Sequence, residues 1–96
     1  IVLLIHQGAA TDGKFDDETC PGLAGDLVPI IAKLDPAIDV VISGHTHQAY
    51  ICQMTPKGGQ RRVLTSAGRY GALVTNIRLI FSPRDGLIDV AAEQVP

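Results

Sequence analysis

The chain has 96 residues, enough for one small domain around one core. Eight Lys and Arg against ten Asp and Glu leave a formal charge of −2, which argues against a nucleic-acid-binding domain that works by neutralising phosphates. Hydrophobic residues make up 46% and aromatics only 4%, so the core must be built from Val, Ile, Leu and Ala, as in an α/β sheet; no apolar run reaches the roughly 18–20 residues of a membrane-spanning helix.

Ile1 to Ile5 is a continuous apolar run ended by His6-Gln7-Gly8, and it reads as a strand buried on both faces with a polar residue at its carboxyl end. The chain opens inside this strand and without Met, so a piece of a longer protein is expected. Ala9 to Pro21 holds Asp12, Asp16, Asp17 and Glu18 with one aromatic, Phe15, and has neither helical nor strand period. It reads as a surface loop, and its carboxylates miss the spacing of a D-x-[DN]-x-[DN]-G calcium loop.

From Leu23 to Leu34 the residues Leu23, Leu27, Ile30, Ile31 and Leu34 recur at helical spacing and predict an amphipathic helix packed on the sheet. Pro29 is tolerable if Asp26 is the N-cap and the proline falls in the first turn; otherwise it kinks the helix. Asp35-Pro36 ends it, and Ile38 to Ile42 is a second buried strand. Ile1 to Ile42 is therefore one β-α-β unit, expected to cross over right-handed.

The second strand runs into Ser43-Gly44-His45-Thr46-His47. Gly44 lets the backbone turn, and strand geometry carried two residues further puts His45 and His47 on one side. His6 stands in the matching place after the first strand, and in parallel α/β sheets sites form beyond the carboxyl ends of strands. Unpartnered neutral imidazoles in a semi-buried cleft cost free energy, whereas a divalent cation accepts their lone pairs. The plainer reading leaves one His capping a strand end and the other solvated.

After His47 the pattern changes to strands and turns. Ala49 to Met54 and Arg61 to Ser66 flank a Pro56-Lys57-Gly58-Gly59 turn and form a hairpin. Ala67 to Gly71 is a glycine-flanked loop. Leu73 to Phe81 alternates, with Leu73, Thr75, Ile77, Leu79 and Phe81 on one face, and Leu87 to Ala92 follows as a last strand after a turn at Ser82 to Gly86. Cys20 and Cys52 match no C-x-x-C pattern; a bridge and two free thiols both remain open.

His6 after an apolar strand, an amphipathic helix, and a strand ending in Gly44-His45-Thr46-His47 resemble the last two sequence blocks of the calcineurin-like metallophosphoesterases. Together with the loop Thr65-Ser66-Ala67-Gly68-Arg69-Tyr70-Gly71, these blocks are most similar to the branch of 5′-nucleotidases that also act as 2′,3′-cyclic-nucleotide phosphodiesterases. The resemblance covers most of the chain. It implies that the α/β fold, a β-α-β unit followed by antiparallel strands, is part of a β-sandwich flanked by helices, with residues 1–96 forming the C-terminal portion of the catalytic domain.

Two divalent ions, zinc, manganese or similar, are implied for the intact enzyme, with His6 and His45 on one metal and His47 on the other. The bridging Asp, the remaining ligands and the catalytic His belong to D-x-H, G-D and G-N-H blocks that this chain does not contain. No catalytic residue is therefore expected here, at most one metal is bound weakly, and no useful turnover is expected of this piece alone. A nucleotide or other phosphate ester is the implied substrate, and an N-terminal half of the catalytic domain and a C-terminal substrate domain are the implied partners, with no nucleic-acid polymer and no membrane span.

Enzymes of this branch act in the periplasm or outside the cell, which favours a Cys20–Cys52 bridge. Arg69 is expected to be a solvated turn residue rather than a phosphate contact, and Tyr70 to pack its loop rather than stack a base. An excised sandwich half is also expected to expose an apolar face and a strand edge. The alternative is a non-catalytic metal-binding or scaffold domain that keeps the fold without the chemistry.

Overall fold

The structure, a computed structural model, describes residues 1–55 and 61–96. The elements are β1 (Val2–Leu4), α1 (Leu27–Ala32), β2 (Val40–Ile42), β3 (Ala49–Met54), β4 (Arg62–Ala67), β5 (Val74–Ser82) and β6 (Gly86–Val95). One mixed sheet has the order β1-β2-β4-β3, with β2 parallel to both β1 and β4 and β3 antiparallel to β4. β5 and β6 form a separate antiparallel pair. The result is a small α/β domain.

Strand alternation sends successive side chains of this sheet to opposite layers. Val41, Leu64, Tyr50 and Cys52 meet Leu27 and Ile31 of α1, whereas Val40, Ile51 and Val63 meet Val90, Ile77 and Leu79 of the β5–β6 pair. The sheet thus lies between a helix layer and a hairpin layer. β2 is covered on both sides, as its unbroken apolar run predicts. β1 is not.

The reading of Ile1 to Ile5 as a strand buried on both faces is corrected here. Leu3 and Ile5 pack on the helix-side core, but Leu4 is 72% exposed and Val2 46%. Val2 and Leu4 are level with Val40 and Ile42, on the face covered by the hairpin, and the cluster there draws on β2, β3 and β4 but not on β1. β1 is an edge strand with one bare apolar face.

α1 is shorter than the predicted Leu23 to Leu34. Asp26 is its N-cap residue without a side-chain cap bond, and Pro29 falls in the first turn, where the missing N–H costs nothing. Leu23 and Leu34 still pack against the core from the flanking turns. The helix end is held by Arg62, 2% exposed, whose guanidinium donates to the carbonyls of Ile31 (3.2 Å), Asp35 (2.8 Å) and Ile38 (2.9 Å). A cation there satisfies an orphan carbonyl and complements the helix dipole.

α1 is the one helix among the described residues, so the α/β character is present while flanking helices are not seen. No helix among them is long and apolar enough to cross a membrane. β3 and β4 pair from Ala49↔Ala67 to Met54↔Arg62, as the hairpin reading requires; the predicted Pro56 to Gly59 turn lies outside the described residues. In β5, Thr75, Ile77 and Leu79 face inward, but a bulge between Ile80 and Phe81 breaks the alternation and leaves Phe81 64% exposed.

Cys20 and Cys52 form a disulfide, with Cα atoms 5.5 Å apart, that ties the Ala9 to Pro21 loop to β3. Closing a separation of 32 residues, it contributes about 3–4 kcal/mol by restricting the unfolded chain.

Candidate functional site

The carboxyl ends of β1 and β2 are sewn together by main-chain bonds. Ile5 N–H donates to Ile42 O at 3.0 Å, and Gly44 N–H donates to Gln7 O at 3.2 Å. The two loops then approach so closely that a Cβ on Gly8 would lie 2.1 Å from Gly44 O and 2.6 Å from Thr46 Oγ1. Only glycine fits at position 8, and the reason is contact rather than dihedral freedom.

A buried hydroxyl chain fixes this crossing. Ser43 Oγ donates to Thr65 O at 2.8 Å, so in its 2.7 Å contact with Ser43 the Tyr50 phenol is the donor. The same phenol oxygen accepts from Ala9 N–H at 3.2 Å, and Ala9 O accepts from Thr46 Oγ1 at 2.7 Å. Ala9 is therefore gripped at both its polar groups by residues that flank the β2 terminus. Tyr50 is 1% exposed, and the bond its oxygen accepts from Ala9 N–H is buried.

His45 sits at the apex of a γ-turn: Thr46 N–H donates to Gly44 O at 2.8 Å, and His45 has φ 69°. This turn brings His45 Nδ1 to 3.3 Å from His6 Nε2, with ring centroids 4.9 Å apart and planes at 76°. His47, at φ 59°, stands instead 6.2 Å from the ring of Tyr70. Strand geometry does not continue past Ile42, so His45 and His47 are not presented together as alternation predicts. The left-handed backbone falls on the histidines and not on Gly44.

A positive φ costs a residue with a Cβ on the order of 1–2 kcal/mol. Among the described residues four that carry a Cβ take such a φ: His45 and His47 in the β2–β3 loop, Tyr70 in the β4–β5 loop, and Cys20 of the disulfide. Tyr70 (φ 60°) is 87% exposed, so the expectation that it packs its own loop is corrected. Arg69 Cζ lies 5.1 Å from the Tyr70 ring centroid. Beside His45 a shallow cavity of about 290 Å³ is lined by Gly8, Ala9, Gly25, Asp26 and Thr46.

All three imidazoles are exposed, so the desolvation argument that favours a metal in a semi-buried cleft is weaker than the sequence suggests. The two ring nitrogens of His6 and His45 stand at hydrogen-bond distance, and that separation is also the one two ligands of a shared cation would have. Ligand nitrogens at about 2.0–2.1 Å from a tetrahedral zinc are roughly 3.3–3.4 Å apart. Among the described residues, however, His, Cys, Asp and Glu nowhere gather in threes as a metal-ligand group.

Tyr50, Ser43 and Thr46 are not singled out by any sequence pattern. The signal that was available is small: an aromatic residue with a polar tip in an otherwise apolar strand, and hydroxyls bracketing the Gly-His pair. No family model, no curated protein and no solved structure matches this chain.

Proposed function

We propose that this chain is the C-terminal portion of the catalytic domain of a calcineurin-like metallophosphoesterase, of the 5′-nucleotidase kind, hydrolysing nucleoside phosphates. The observation that carries the reading is the pair His6 Nε2 and His45 Nδ1, 3.3 Å apart at the ends of two parallel strands. Their spacing suits one divalent ion, and a two-metal site supplies a bound hydroxide and a clamp for phosphate oxygens. The chain's own part is to hold the two ring nitrogens at that spacing and, through Tyr50, Ser43 and Thr46, to keep both loops in place. His47 is left for the second ion.

In this reading the β-α-β unit, the β3–β4 hairpin and the β5–β6 pair are parts of a larger sandwich flanked by helices. The bare face of β1, with Val2 and Leu4 exposed, is where an N-terminal half of the domain would add. A C-terminal substrate domain would select the base, and the piece alone would not turn substrate over. The Cys20–Cys52 disulfide suits the periplasm or the cell exterior. The second reading, a scaffold or metal-binding domain without catalysis, is favoured by the two-ligand count at the His pair.

The test is a titration with Zn²⁺ or Mn²⁺ at neutral pH, with the His ring signals followed by NMR. His6 and His45 should shift together and saturate at one equivalent, and His6→Ala should abolish the response of His45. If His45 responds equally well in His6→Ala, the pair is not a metal half-site and the phosphoesterase reading falls.

A further inference from the structure

We propose that Arg69 and Tyr70 form a ledge beside His47 that binds the organic part of an aromatic phosphate monoester, Tyr70 stacking on its ring and Arg69 meeting its phosphate. This rests on the phosphoesterase reading for the kind of ester, and on the following geometry for the ledge itself.

Tyr70 combines two features that folding alone does not reward. Its backbone is in the left-handed region at φ 60°, and its side chain buries almost nothing, since the residue is 87% exposed. Strain of this kind persists where a site needs a side chain in one place. The ring is also flanked by chemistry suited to a ligand: Arg69 Cζ is 5.1 Å from its centroid, and the His47 ring meets it edge-on at 6.2 Å. Arg69 is exposed, and among the described residues its side chain makes no ion pair.

An aromatic plane and an exposed planar cation on the β4–β5 turn, with an imidazole from the β2–β3 loop beside them, match a ligand that joins a flat ring to an anion. Arg binds phosphate through its fork of N–H donors, and the tyrosine face accepts any planar ring with little preference for its edge pattern. The ledge therefore selects for an aromatic leaving group without reading which base it is. His47 ties the ledge to the histidine cluster, only two residues from His45.

The experiment uses the whole chain without added metal, titrated with AMP, 4-nitrophenyl phosphate, ribose 5-phosphate and adenosine, and follows the Tyr70 ring and Arg69 Nε–H by NMR. AMP should move the Tyr70 ring protons upfield and shift Arg69, ribose 5-phosphate should shift Arg69 alone, and Tyr70→Leu should weaken AMP about tenfold while leaving ribose 5-phosphate unchanged. Arg69→Gln should weaken both phosphates. Equal stacking by 4-nitrophenyl phosphate supports the proposal with any aryl phosphate as ligand, and stacking by AMP alone supports it with nucleotides. The proposal is overturned if AMP leaves the Tyr70 ring unmoved, or if Tyr70→Leu binds AMP as tightly as the unchanged chain. Stacking by AMP where Zn²⁺ fails to move His6 and His45 leaves the ledge standing and removes the phosphoesterase reading; zinc binding without any Tyr70 response does the reverse.

Discussion

The Tyr50 phenol donates to Ser43 Oγ at 2.7 Å, joining β3 to the end of β2 immediately before the Gly-His turn. Because the same oxygen accepts from Ala9 N–H, one buried hydroxyl holds both loops of the candidate site. Tyr50→Phe leaves that N–H without its acceptor and is expected to cost on the order of 1–3 kcal/mol in urea unfolding, at unchanged m value. Ser43→Ala added to Tyr50→Phe should cost less than it does alone, since the two share one chain of bonds. Strict additivity would show that the hydroxyls act independently.

Gly8→Ala drives a methyl group into the carbonyl of Gly44 and the hydroxyl of Thr46. The carbonyl is backbone, and the hydroxyl is held by Ala9 O, so neither yields cheaply. A loss of about 1–3 kcal/mol is expected, as for overpacking in a core. The NOE between the His6 and His45 rings should vanish with it. Survival of that NOE at unchanged stability would mean that the loops can separate without moving the histidines.

Arg62→Met preserves the apolar stem of the side chain and removes its three donated hydrogen bonds. The carbonyls of Ile31, Asp35 and Ile38 then lose their buried partner, with an expected loss of about 3 kcal/mol or more. Thermal unfolding checks the magnitude. Hydrogen exchange should accelerate first at Lys33 and Leu34, whose amides close the last turn of α1. A uniform change across the sheet would point instead to a general packing defect.

Asp17 titrates below the ordinary aspartate value of 3.8, because the hydroxyl of Thr19 and then its main-chain N–H both donate to the carboxylate. A carboxylate lowered in the folded state stabilises above its unfolded pKa, and that contribution is lost as pH falls through the lower, folded value. Thr19→Ala removes the larger of the two causes. An NMR pH titration should show the Asp17 midpoint rising toward 3.8 in the variant; an unmoved midpoint would assign the effect to another donor.

Much of the fold was legible in the residues themselves. The apolar runs and their period located β1, β2, β5 and the β3–β4 pair, and the helical period located α1 within Leu23 to Leu34, with Asp26 as N-cap being one of two readings of Pro29, because local sterics and alternation act over a few residues. Misreadings arose where a distant layer decides. Ile1 to Ile5 has the composition of a central strand, yet whether Leu4 is covered depends on how far the β5–β6 pair reaches across the sheet. The same holds for Phe81, which a bulge turns outward.

The candidate site divides in the same way. The sequence by itself determined that His6 and His45 follow parallel strands and so lie at one edge of the sheet, since a β-α-β connection allows little else. Only the tertiary structure decided that a γ-turn aims His45 at His6 and leaves His47 beside Tyr70, and that Tyr50 holds the crossing from below. The cause is physical: a strained dihedral or a hydroxyl chain between strands is stable only where many remote contacts converge, and no window of neighbouring residues contains them.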